Sequence, residues 1–163
     1  MKKILVLMMA LVMTLSLVAC GGEADGETSP ANQQGASVED YAKLEGFFDR
    51  VIENYTGQQE LATLLEEVKS GQKEESALLD AYGKLAEDSA GMLQDVQNTT
   101  WETNHYDDEV AALNACVKAL ALYQQTLYEA SAENDGAKLD TVAELLNDYD
   151  AKLGALLDAM GVE

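Results

Sequence analysis

From Ser37 onward, apolar side chains recur three and four residues apart, and nowhere do they alternate with period two over a useful length. The first spacing is that of helix faces buried on one side; the second, which would mark a half-buried sheet, is missing. Tyr41, Leu44, Phe48, Val51 and Tyr55 step by 3, 4, 3, 4 behind Ser37, which is placed to cap the helix, with Asp40 favourable in its first turn. Thr56-Gly57 reads as a stop. Leu61, Leu64, Leu65 and Val68 then predict a short helix over 57–70, closed by Ser70-Gly71.

Three longer patterns follow. Leu78, Tyr82, Leu85, Ser89, Met92 and Val96 make one stripe, widened by Leu79, Ala86 and Leu93 and interrupted by Gly83 and Gly91. Each glycine costs about 1 kcal/mol relative to Ala, as plain weakness or as room for a close helix contact. Leu113, Cys116, Leu120, Tyr123, Leu127 and Ala130 form the next stripe, flanked by Val110 and Val117. After the turn Glu133-Asn-Asp-Gly136, the clearest pattern is Leu139, Val142, Leu146, Tyr149, Leu153, Leu156 and Met160. Faces of this width, joined by short turns, need one another. Residues 37–163 are therefore expected to form an all-α, antiparallel up-and-down bundle of four main helices plus one short helix.

Charge narrows the partners. Thirty Asp+Glu against ten Lys+Arg give the 163-residue chain a formal net charge of −20. Nucleic acid is thereby excluded, because phosphate binding needs a basic surface that releases counterions. At 47% apolar residues the chain is not a disordered acidic tail.

The segment before the helices is of another kind. MKKILVLMMALVMTLSLVAC opens with Lys2 and Lys3, continues as an apolar run from Ile4 to Val18, and ends with small Ala19 before Cys20. The run is short for a membrane span and right for a signal peptide. Its last four residues, Leu17-Val18-Ala19-Cys20, resemble the lipobox of bacterial lipoproteins. That resemblance implies removal of residues 1–19 and a diacylglyceryl thioether on Cys20, with a membrane reached through the acyl chains. Two or three chains, at about 0.8 kcal/mol per buried methylene, anchor far more stably than one. Loss of Lys2 and Lys3 takes the formal charge to −22. With Cys20 acylated, Cys116 has no intrachain partner.

Residues 20–36 then read as the lipidated cysteine and a flexible tether. The stretch 21–36, GGEADGETSPANQQGA, holds four Gly and the single Pro, with no large apolar side chain. Sixteen such residues reach about 20–24 Å, enough to lift an acidic body clear of lipid headgroups that repel it.

Candidate chemistry is sparse. The connection Asn98–Asp108 holds the single Trp and the single His, Trp101 and His105, with Tyr106 beside them. An aromatic group in a polar connection either caps the bundle end or contacts a ligand, so this is the candidate recognition loop. Glu102 and His105 have the Glu-x-x-His spacing of di-iron bundles, but the second His that such a centre needs is absent. A weaker mononuclear site would draw on Glu102, His105, Asp107, Asp108 or Glu109, unless these acids simply complement the helix dipole. Around Gly136 a calcium loop fails, because Val142 stands where the bidentate Glu belongs. Cys116 sits on an apolar stripe as a buried thiol, and five of the seven tyrosines lie on stripes as core. No Gly-rich phosphate loop, Ser-His-Asp set or Cys-x-x-Cys occurs.

The expectation is a non-enzymatic, lipid-anchored, extracytoplasmic lipoprotein that binds an envelope protein or a basic peptide and carries no cofactor besides the lipid. The alternative is an atypical small-ligand or cation-binding lipoprotein serving uptake. A Gram-positive surface suits the acidic body and Gly-rich tether, with a Gram-negative outer membrane as the other address.

Overall fold

The computed structural model describes residues 37–162; the expected signal peptide, lipidated Cys20 and tether lie outside the described residues. Four helices follow in order: α1 Val38–Lys69, α2 Glu75–Asn98, α3 Asp107–Glu133 and α4 Gly136–Ala159. The fold is all-α, with no strand among the described residues. No helix among them is long and apolar enough to cross a membrane.

Local chemistry sets the ends. The Ser37 hydroxyl accepts from Asp40 N at 3.2 Å and starts α1. Beyond Ser70, Gly71 takes φ 74°, a conformation that glycine reaches without a Cβ clash. Asn134 closes α3 in the left-handed region, at φ 55°, and the Asp135 carboxylate then caps α4 by accepting from Ala137 N and Lys138 N.

The expected break at Thr56-Gly57, and the separate short helix over 57–70, are replaced by one continuous 32-residue α1. Two reasons are visible. Gly57 is not among the positive-φ glycines, so it stays in the helix, and Thr56 Oγ1 donates back to Ile52 O at 3.0 Å. More important, the buried row of α1 runs through this point as Val51, Asn54, Gln58, Leu61, Leu65 and Val68. Its middle members are polar, and the hydrophobic pattern therefore looked interrupted.

Helix α3 lies at the centre, packing on α2 and α4 and also on α1. Leu113, Cys116, Val117, Leu120 and Ala130 of α3 are wholly buried. Tyr123 stacks on Tyr149 of α4 with ring centroids 6.1 Å apart. From α1 to α2 and the connection just after it, the partners run Lys43 to Thr100, Arg50 to Asp95 and Gly57 to Leu85.

The two glycines of α2 differ in their reasons. A Cβ on Gly83 would meet Tyr128 Cε2 at 3.2 Å, a close approach of α2 to α3, whereas a Cβ on Gly91 would meet nothing within 4 Å. Gly91→Ala should therefore raise the unfolding free energy by about 0.5–1 kcal/mol through backbone entropy and helix propensity. Urea titration checks this: an unchanged or lower midpoint contradicts it.

Candidate functional site

The connection between α2 and α3 is clasped to the start of α1. Asp40 is 1% exposed, and its carboxylate accepts from Glu102 N at 2.9 and 3.0 Å, from Thr103 N at 2.9 Å and from Thr103 Oγ1 at 3.1 Å. Lys43 Nζ stands 3.7 Å from the same carboxylate and donates to Thr100 O. Ser37 Oγ donates to Glu102 Oε2 at 3.0 Å. Burial opposes ionisation of Asp40, but the Glu102 and Thr103 donors and the Lys43 charge outweigh it and hold the carboxyl below its ordinary value.

The sign of the pH effect follows. A carboxyl with a lowered folded value contributes stability that is complete above its unfolded value, near pH 4, and lost as pH falls through the folded one. Asp40→Asn should lower the melting temperature at pH 7 and unprotect the Glu102 and Thr103 amides in hydrogen exchange. The gap to wild type should narrow on acidification toward pH 3; a gap independent of pH would contradict the assignment.

Trp101 and Tyr106 are half-buried and pack against the core, while His105 is exposed. The Tyr106 ring lies between two others, Tyr41 at 5.9 Å and His105, edge-on, at 4.8 Å. The clasp thus engages Glu102 through Ser37 and His105 through Tyr106. Asp107 and Asp108 are exposed in the first turn of α3. Among the described residues no three His, Cys, Asp or Glu side chains converge as a metal would require.

A feature that the sequence reading missed lies between α1 and α2. A groove of about 810 Å³ has Leu61, Leu64, Ala81, Leu85 and Met92 as its apolar lining. Its charged lining includes Glu53, Glu60 and Asp88, together with Arg50, Lys73 and Lys84. Arg50 pairs with Asp95 at 2.9 Å and Lys73 with Glu67 at 2.8 Å. The signal was present: residues 50, 53, 57, 60, 64 and 67 also step by three and four, as a second row beside the buried one. Its alternation of charge with Gly and Leu gives no apolar stripe.

Beneath this groove is a buried polar cluster. Asn54 Oδ1 accepts from Gln124 Nε2 at 2.7 Å and from Gln58 Nε2 at 3.1 Å, and all three residues are at most 6% exposed. The Gln58 amide lies close enough to influence the Tyr149 hydroxyl, yet Gln58 Oε1 and that hydroxyl both stand outside hydrogen-bonding geometry. Burial pushes the Tyr149 phenol far above its ordinary value, with the nearby Cys116 and Asp150 adding to the effect. Burial likewise pushes the Cys116 thiol up to about 12, which leaves almost no thiolate at neutral pH.

The site is thus a clasped connection at one end of the helices and an open, charged-rimmed groove along α1 and α2, above an amide-rich core. No protein-family model, no curated protein and no solved structure matches this chain.

Proposed function

We propose that the chain is a membrane-anchored, extracytoplasmic lipoprotein whose helical head is a non-enzymatic protein- or peptide-interaction module of the cell envelope. The observation that carries the reading is the α1–α2 groove, open along two helices and lined by apolar and charged side chains together. Such a surface favours a chain-like partner over a compact solute, because only an extended object covers its length. Leu17-Val18-Ala19-Cys20 supports the anchor, with acyl chains on Cys20, and the acidic body with its Gly-rich tether supports a Gram-positive surface as the address.

The same reading takes the helices as an antiparallel, up-and-down bundle. Support comes from the order of contacts: as numbers rise along α1 from Lys43 through Arg50 to Gly57, their partners fall from Thr100 through Asp95 to Leu85. Connections of a few residues between consecutive helices agree.

Native mass spectrometry of the protein purified from its host tests the proposal. The expected species begins at an acylated Cys20 and retains a protein or peptide partner. An unmodified Cys20 defeats the anchor, and a stoichiometric metal or small solute without a polypeptide partner defeats the interaction module.

A further inference from the structure

The groove also specifies the chemistry of its occupant. Arg50, Glu53, Gly57, Glu60, Leu64 and Glu67 form one row along α1, and all six line the groove. At 1.5 Å per residue the row is about 25 Å long, nearly five turns. Opposite it on α2, Ala81, Leu85, Asp88 and Met92 step by 4, 3, 4 and line the same groove. Two helical rows at this spacing present the ridges against which a third helix packs. Gly57 brings the two rows together: a Cβ there would stand 3.3 Å from Leu85 Cδ2.

Charge selects among helices. Arg50 and Lys73 are occupied by Asp95 and Glu67. Glu53 and Glu60 on the α1 edge and Asp88 on the α2 edge are exposed and take part in no ion pair among the described residues; Lys84 is the lining cation that likewise has none. Three carboxylates on two edges face one ammonium. The chain as a whole, at −20, deepens that field and repels a second copy or an anionic lipid surface.

Resting on the interaction-module reading above, we infer that the groove binds an amphipathic helix with Lys or Arg flanking an apolar stripe. The stripe seats over Leu64 and Leu85, and the flanking cations meet Glu53, Glu60 and Asp88. The cations steer the encounter and set specificity, while the apolar contact holds the helix.

The test uses protein purified from cells expressing the full chain and a designed amphipathic peptide of about 18 residues, matched to the row length, with Leu on one face and Lys on its flanks. A twin peptide carries Glu in place of Lys. Fluorescence anisotropy should show the Lys peptide binding at least about tenfold more tightly than its twin, and weakening as salt shortens the reach of the charges. Amide chemical-shift changes should fall on Leu64, Leu85 and their neighbours. Glu53→Lys/Glu60→Lys, at exposed positions, should weaken binding about tenfold or more with an unchanged circular-dichroism spectrum. Equal binding of the two peptides, shifts elsewhere, an indifferent variant or no binding of the Lys peptide overturns the inference. A photo-crosslinking residue at exposed Thr63 in living cells separates the two levels. A crosslink to an envelope protein, with no Lys-peptide binding, leaves the interaction module standing and removes the cationic helix. A crosslink to a second copy of this chain removes the cationic helix as well, and neither crosslink nor peptide binding removes both.

Discussion

Replacing Leu120 with Ala should lower the unfolding free energy by about 2–5 kcal/mol. Leu120 is wholly buried on α3, the helix that packs against each of the other three. Helix α3 is held by three helices at once, so moving one of them does not let the core collapse into the vacated volume. The loss therefore combines the transfer free energy of the removed carbons with a cavity cost. Urea unfolding followed at 222 nm reads the effect as a lower midpoint with an unchanged slope. A loss under about 1 kcal/mol would mean that the site is not packed as described.

The second large effect concerns Asn54. Its carbonyl oxygen is the common acceptor of two buried amide donors, Gln58 Nε2 and Gln124 Nε2. Asn54→Ala strands both, at about 1–3 kcal/mol for each donor left without water or partner. The full cluster behaves differently. Replacing Asn54, Gln58 and Gln124 together by Leu, with Tyr149→Phe to remove the unpaired hydroxyl, should return stability to within about 1 kcal/mol of wild type or above it. Asn54, Gln58 and Gln124 are hydrogen-bonded to one another and Gln58 lies beside the Tyr149 hydroxyl, so the separate effects must not add. If the fourfold variant is as unstable as the sum of its parts, these side chains are not coupled as described here.

This cluster also shows where the sequence misled. Asn54 and Gln58 are polar, so the apolar row of α1 stops near Tyr55, and Thr56-Gly57 then resembles a helix end. In the fold the row continues through the two amides, because Gln124 of α3 supplies a hydrogen-bonding partner that α1 alone does not reveal. A polar residue can belong to a buried face whenever another helix satisfies it, and periodicity of apolar residues does not register that.

The candidate loop was legible as a place but not as an arrangement. Trp101, His105 and Tyr106 stood out by rarity. The residue that organises their connection, Asp40, stood out only as a first-turn acid, since its donors at Glu102 and Thr103 lie more than sixty positions away. The groove was less legible still. Leu64 and Leu85 belonged to separate stripes, and only the docking of α1 on α2 makes them neighbours across one channel.

By itself the sequence determined the helical class, the cap at Ser37, the turn at 133–136, the buried faces of α2, α3 and α4, and the strong negative charge. All of these follow from neighbours within a turn or two and from simple counting. The tertiary structure alone decided that α1 passes through Gly57, that Asp40 fastens a distant connection, and that a groove opens between α1 and α2. Those outcomes depend on which groups meet across helices. Such meetings are fixed by packing and by the need to satisfy buried polar atoms, neither of which is written in the spacing of any one segment.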